Sequence, residues 1–200
     1  MTLRSNTLLE ELEEYTFQLS GKAKGLQNYP IQSLTFKPAP EKWNILECLA
    51  HLNLYGKFYL AEIAQRIKHS SYGEEAIFHS RWLGNYFANS MLPKKKLNKM
   101  KTFKNMNPLN TALDKGVITI FLDQQEQMMT LLREARKVSL NKTKISITIT
   151  SLIKLKLGDA FRLVIYHNQR HFAQIENLLK AQENKFGHKS QASEYELRNF

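Results

Sequence analysis

Apolar residues recur at helical spacing in four separate stretches of the chain. The first places Leu8, Leu9, Leu12, Tyr15, Thr16 and Leu19 on one stripe, with Gly21 and Gly25 expected to end the helix. Residues 26 to 42 contain Pro30, Pro38 and Pro40. Proline lacks a backbone N–H and clashes with the preceding turn, so this stretch predicts a long ordered connection. The second helix has a legible start: Asn44 suits an N-cap, and Glu47 three residues on can return a bond to the cap. Ile45, Leu46, Leu49, Leu52, Tyr55, Tyr59, Ile63 and Ile67 then keep the helical period to about residue 68.

Residues 74 to 92 are rich in aromatics (Phe78, Trp82, Tyr86 and Phe87) around Gly84, and read as a short helix or packed loop over one end of a bundle. Residues 93 to 108 form a lysine-rich connection too polar to bury. A third helix is expected from about Leu109 to Lys137, with Val117, Phe121, Met128, Leu131 and Leu132 on its apolar side. Residues 145 to 149, ISITI, alternate as a strand does. Lying between helices without an evident partner, they are expected to be an extended crossover. The fourth helix opens near Gly158 and Asp159, the acid being favourable at the positive end of the helix dipole. It continues through Phe161, Leu163, Val164, Ile165, Phe172, Ile175, Leu178 and Leu179 to about Ala181.

These periods predict an all-α fold, a four-helix bundle with long crossover connections whose topology need not be up-down-up-down. Residues 1–182 read as a single domain and residues 183–200 as a polar, loose C-terminal tail. No internal repeat is evident. Two hundred residues suffice for a core without covalent staples, and the single cysteine, Cys48, fits a reducing compartment. No apolar run approaches the ~20 residues of a membrane helix, and the opening residues turn acidic without a signal-peptide core. A cytoplasmic protein with no membrane partner is expected.

The net charge of +11 raises the question of nucleic acid. Its distribution argues against that partner. No acid occurs between Glu75 and Asp114, where Lys94, Lys95, Lys96, Lys99, Lys101 and Lys104 fall, nor between Glu134 and Asp159, where Lys137, Lys142, Lys144, Lys154 and Lys156 fall. The excess therefore sits in connections, and solvated basic loops are the simplest reading. An anion-attracting rim around a site comes second, and nucleic-acid binding last. The role of the basic segment 94–104 stays open.

His167 and His171 are four apart on the fourth helix, so both rings point to one side about one turn apart. This spacing lets two histidines share a metal ion. The residues between them are Asn168, Gln169 and Arg170, so the glutamate base of the H-E-x-x-H proteases is missing and that reading is excluded. A catalytic metal commonly takes three protein ligands. His51, flanked by Leu49, Ala50 and Leu52, is the natural third, although taken alone it reads at least as well as a hydrogen-bonded core histidine. His69, His79 and His188 have no comparable context.

Neighbouring residues keep two readings each. Gln174, three after His171, reads either as a donor to a metal-bound group or as plain surface. Tyr55, one turn after His51, lines a pocket or belongs to the core. Glu47 is explained by capping, and Cys48 by packing. Arg170 points away from the two histidines by helical phase, toward an acid or a partner subunit. Trp43 reads as an anchor for the start of the second helix.

Two stretches carry a family resemblance. Residues 37 to 52, KPAPEKWNILECLAHL, and residues 158 to 174, with Gly158-Asp159-Ala160-Phe161 and then His167-Asn168-Gln169-Arg170-His171-Phe172-Ala173-Gln174, are similar to the two signature regions of the DinB-like superfamily, a group that includes YfiT-like metal-dependent hydrolases. The family pattern has a tryptophan before the second helix, a histidine eight residues later and an H-x-x-x-H pair in the last helix. Trp43, His51, His167 and His171 match it. Gly84-Asn85-Tyr86-Phe87 and Thr102-Phe103-Lys104 also resemble members of the group.

The resemblance implies a four-helix bundle in which His51, His167 and His171 hold a divalent ion, nickel or zinc. It implies a small-molecule substrate, with transfer of a low-molecular-weight thiol to an electrophile as one activity. Metal-dependent hydrolysis, or a non-catalytic metal-binding role in stress response, are the others. A homodimer is a further expectation, with residues 78 to 87 offering one interface.

Overall fold

The computed structural model describes residues 1–93, 102–148 and 150–197. Its helices are α1 (Ser5–Leu26), the one-turn α2 (Ile31–Leu34), α3 (Ile45–Lys68), α4 (Trp82–Ser90), α5 (Gly116–Glu134) and α6 (Leu157–Leu197). The four long ones form the bundle. α3 packs against α5 and α6, and α1 packs against the same two, so α1 and α3 sit on one diagonal. Of the pairs consecutive along the chain, α3 and α5 are therefore neighbours, whereas α1 and α3, and α5 and α6, lie across diagonals.

The predicted stripes face inward. Leu8, Leu9 and Leu12 of α1, Leu46, Leu49 and Ile63 of α3, Phe121 and Leu132 of α5, and Phe161, Ile165 and Phe172 of α6 are all buried in one core. Each such side chain contributes roughly 1.5–3 kcal/mol by leaving water. The predicted cap of α3 is present as a full capping box: the Asn44 side chain accepts from Glu47 N, and the Glu47 carboxylate accepts from Asn44 N.

Several expectations are corrected. Gly21 does not stop α1, because the buried stripe continues through Ala23 and Leu26 and offsets the weak helix preference of glycine; the helix ends one residue past Gly25. α5 begins at Gly116 rather than near Leu109, since Asn110 takes a left-handed conformation (φ 63°) that interrupts any helix there. The ISITI segment is no lone crossover. Residues 145–147 of it fall in β3 (Lys144–Ile147), paired antiparallel with β4 (Thr150–Lys156) so that Ile145 opposes Leu155, and Ile145, Ile147 and Leu155 are buried. The partner strand was hidden because its apolar residues run straight into the helical period of α6. A second small pair joins β1 (Thr2–Arg4) to β2 (Ile77–His79), with Leu3 opposite Phe78. Finally, α6 does not end near Ala181 but runs to Leu197. The basic stretch 94–101 lies outside the described residues.

α4 is locked onto the start of α6 by buried charge. Arg162 and Asp159, both about 2% exposed in their side chains, pair at 3.2 Å. Ser80 Oγ donates to Asp159 at 2.5 Å, and Arg162 donates to the Oδ1 atoms of Asn85 and Asn89 at 3.0 Å each. Gly84 permits this approach, for a Cβ there would lie 2.1 Å from Asp159 Oδ2. The aromatic segment splits: Phe78 is buried, whereas Trp82 and Tyr86 are 79% and 65% exposed.

Candidate metal centre

His51 projects from the second turn of α3, whose origin the capping box pins. His167 and His171 project from the middle of α6, and the packing of α3 on α6 brings the three rings together. His51 Nε2 lies 3.2 Å from His167 Nε2, and His171 Nε2 lies 3.1 Å from the same atom. Among the described residues these three form the group of histidine, cysteine or carboxylate side chains able to hold a metal ion, with ligand atoms all within 4.8 Å of one another. Nitrogens about 2.0–2.1 Å from a shared tetrahedral ion stand about 3.3 Å apart, so the spacing suits coordination.

The remaining ring nitrogens decide which atoms face inward. His51 Nδ1 donates to the Met106 carbonyl at 2.6 Å, and His171 Nδ1 donates to Gln174 Oε1 at 3.1 Å. Protons held there leave the Nε2 lone pairs of both rings pointing into the cluster, the tautomer a metal needs.

Burial keeps the rings neutral. His51 and His171 are 3% and 8% exposed, and His167 stands between them with some residual accessibility. Desolvation pushes His51 down to about 4, against a small opposing effect of its bond to Met106. It pushes His171 down to about 3, helped by the charges of His51 and Arg170. His167 is held well below its ordinary value by burial and by both neighbouring histidines. Three uncharged imidazoles can hold a divalent ion and would otherwise be three desolvated lone-pair donors crowding one point.

Aromatic rings wall the cluster. The Trp43 ring centroid is 4.7 Å from His51 and 5.8 Å from His171, and Tyr55 is 4.9 Å from His51 and 4.8 Å from His167. Trp43 thus touches the site rather than only anchoring α3, and the tryptophan in the sequence motif was the available signal. Tyr55 packs beside the cluster and also stacks on Tyr59. Burial and the neighbouring Tyr59 raise its hydroxyl pKa, so it stays protonated at neutral pH.

The 104–110 segment completes the surround. Trp43 Nε1 donates to Asn107 Oδ1 at 3.1 Å, and Asn110 N donates to Glu47 Oε1 at 2.6 Å. Lys37 also reaches Glu47, at 2.7 Å. Glu47 therefore does more than cap: it ties down the loop whose Met106 carbonyl orients His51. No pattern of side chains could have revealed that carbonyl.

Other sequence readings resolve plainly. Gln174 accepts the His171 Nδ1 proton and so orients that ring. Cys48 is fully buried, its thiol pKa driven up by desolvation and by Glu47, and it is outside the ligand group. Arg170 is buried rather than outward-facing, and its charge helps hold the two α6 histidines neutral.

The family model for the DinB superfamily matches residues 23–175, a span containing Trp43, His51, Tyr55, His167, His171 and Gln174. No curated protein and no solved structure matches the chain significantly. No helix among the described residues is long and apolar enough to cross a membrane. With most of its length matched, including both histidine regions, the chain belongs to the DinB superfamily.

Proposed function

We propose that the chain is a metal-dependent enzyme in which His51, His167 and His171 hold nickel or zinc, and that it transfers a low-molecular-weight thiol to a small electrophile. The observation that carries this reading is the convergence of three neutral imidazoles, two of them with tautomers set by Met106 and Gln174. A divalent ion held by these three residues would lower the pKa of a thiol bound to it. In the transfer itself, sulfur bonds to the electrophilic carbon, the leaving group departs with its electron pair, and the thiol proton passes to solvent.

The protein's own residues supply position and environment. Trp43 and Tyr55 exclude water from two sides of the cluster, and the protonated Tyr55 hydroxyl is available to donate to a departing anion. Hydrolysis commonly calls on a general base to activate water. Among the described residues no carboxylate is bonded to the three histidines, and Glu47 is committed to Asn44, Lys37 and Asn110. That commitment favours thiol transfer over hydrolysis.

The test is metal analysis of protein purified without a histidine tag, followed by incubation with a panel of thiols and a chloronitrobenzene. Thiol-dependent product that a chelator abolishes and that His51→Ala lacks supports the reading. Substoichiometric metal in the wild-type protein, or equal turnover by His51→Ala, overturns it.

A further inference from the structure

We infer that the protein carries a second site, for a small multiply charged anion such as a phosphate ester, in a basic cleft at the far end of the bundle from the histidines. The cleft has a volume of about 450 Å³ and is lined by Tyr72, Arg81, Asn141, Lys142, Lys144 and Lys156. That size falls among small-molecule sites. From His51 to the end of α3 at Lys68, just before Tyr72, the helix rises about 25 Å, so the two sites share no residue.

Four cations converge here from three parts of the chain, Arg81, Lys142 with Lys144, and Lys156, and one acid answers them. Glu75 accepts from Ser139 Oγ and from Asn141 Nδ2, and pairs with Lys142 at 3.3 Å. Arg81, Lys144 and Lys156 have no carboxylate within ion-pairing distance among the described residues. Asp159 is near enough for Lys144 to feel its charge, but it is already paired with Arg162. The like charges press on one another: Lys156 and Arg81 both depress the Lys144 pKa, after the larger effect of burial.

The cations are also positioned. Asn141 is the hub: its carbonyl accepts Lys144 Nζ at 3.0 Å, and its Oδ1 accepts Lys156 Nζ at 3.1 Å and His79 N at 3.0 Å. Lys156 further donates to the His79 carbonyl at 2.5 Å. An ammonium has three protons and a guanidinium five N–H groups. Lys144 therefore keeps two protons and Lys156 one, while the Arg81 fork is wholly available for a tetrahedral anion. Tyr72, half exposed at the rim, offers a flat face beside these charges. Charges gathered in one cleft suit a compact anion, whereas a nucleic acid calls for a row of phosphate contacts.

The test uses the full chain, stripped of metal with chelator, titrated calorimetrically with inorganic pyrophosphate and with phenyl phosphate. Saturable one-site binding is expected. It should weaken at least tenfold in the Arg81→Gln/Lys144→Gln double variant, whose two side chains are both exposed, and stay unchanged in His51→Ala. Arg81→Gln alone, which disturbs no hydrogen bond, should weaken binding at least threefold and serves if the double variant does not fold. Absence of saturable binding, equal binding by the variants, or loss of binding in His51→Ala overturns the inference. So does a preference for single-stranded oligonucleotide or phosphatidylglycerol vesicles over both small anions.

Discussion

Gln174 offers a sharp test of how the centre is built, because it contacts no other histidine and would touch no metal directly. Its Oε1 accepts the proton of His171 Nδ1 at 3.1 Å, and that bond points the His171 Nε2 lone pair at the cluster. Gln174→Leu keeps the volume and removes the acceptor. The ring then loses its tautomer and orientation constraint, and a buried N–H is left without a partner. Loss of such a supporting bond typically lowers metal affinity 10–100-fold, equivalent to about 1.4–2.7 kcal/mol. The unmatched N–H should also cost the metal-free protein about 1–3 kcal/mol of stability.

Affinity is measured by competition against a chromophoric zinc chelator, with urea unfolding of the metal-free protein alongside. Gln174→Glu provides the counter-test, since a carboxylate accepts the same proton and raises ligand basicity. Its affinity should equal or exceed that of wild type. If Gln174→Leu binds zinc within twofold of wild type, His171 is not oriented in the way described.

Acid should destabilise the metal-free protein through the histidines. Their folded pKa values are depressed, so the unfolded chain takes up protons first as pH falls below 6.5. For His51, from 6.5 to about 4, the loss is complete below pH 4 and amounts to about 3 kcal/mol, measurable as the fall in urea-unfolding free energy between pH 7 and pH 4 and reduced in His51→Phe. Asp159→Ala leaves the Arg162 charge buried without its partner and should cost about 3–5 kcal/mol, while zinc stoichiometry is retained; a cost below 1 kcal/mol in thermal or urea melts would refute the lock between α4 and α6. Cys48 should resist a disulfide-exchange reagent at pH 8 until the chain unfolds, because its thiol is fully buried with a raised pKa; rapid labelling of native protein would contradict the packing.

Much of this molecule was readable from spacing. The stripes of α1, α3, α5 and α6 follow from a 3.6-residue period, which depends on local geometry alone. The Asn44–Glu47 capping box and the shared face of His167 and His171 are likewise local, within one turn of helix. Spacing alone could not join His51 to that pair, because 116 residues separate it from His167. The motif around Trp43 supplied the link, and the packing of α3 on α6 supplied the distance.

What remained undetermined depends on contacts between elements. Whether Gly21 ends a helix turns on how much apolar surface lies beyond it, and whether ISITI is a strand turns on the segment that pairs with it. The Met106 carbonyl has no side-chain signature at all. The lysines at 142, 144 and 156 looked like solvated connections, since their charge is visible in sequence and their neighbours are not. Only the tertiary structure sets them beside Arg81 around one cleft. Local sequence therefore determined the helices and the shared face of the two α6 histidines, and tertiary packing decided the place of His51 beside them, the protons on the His51 and His171 rings and the convergence of charge.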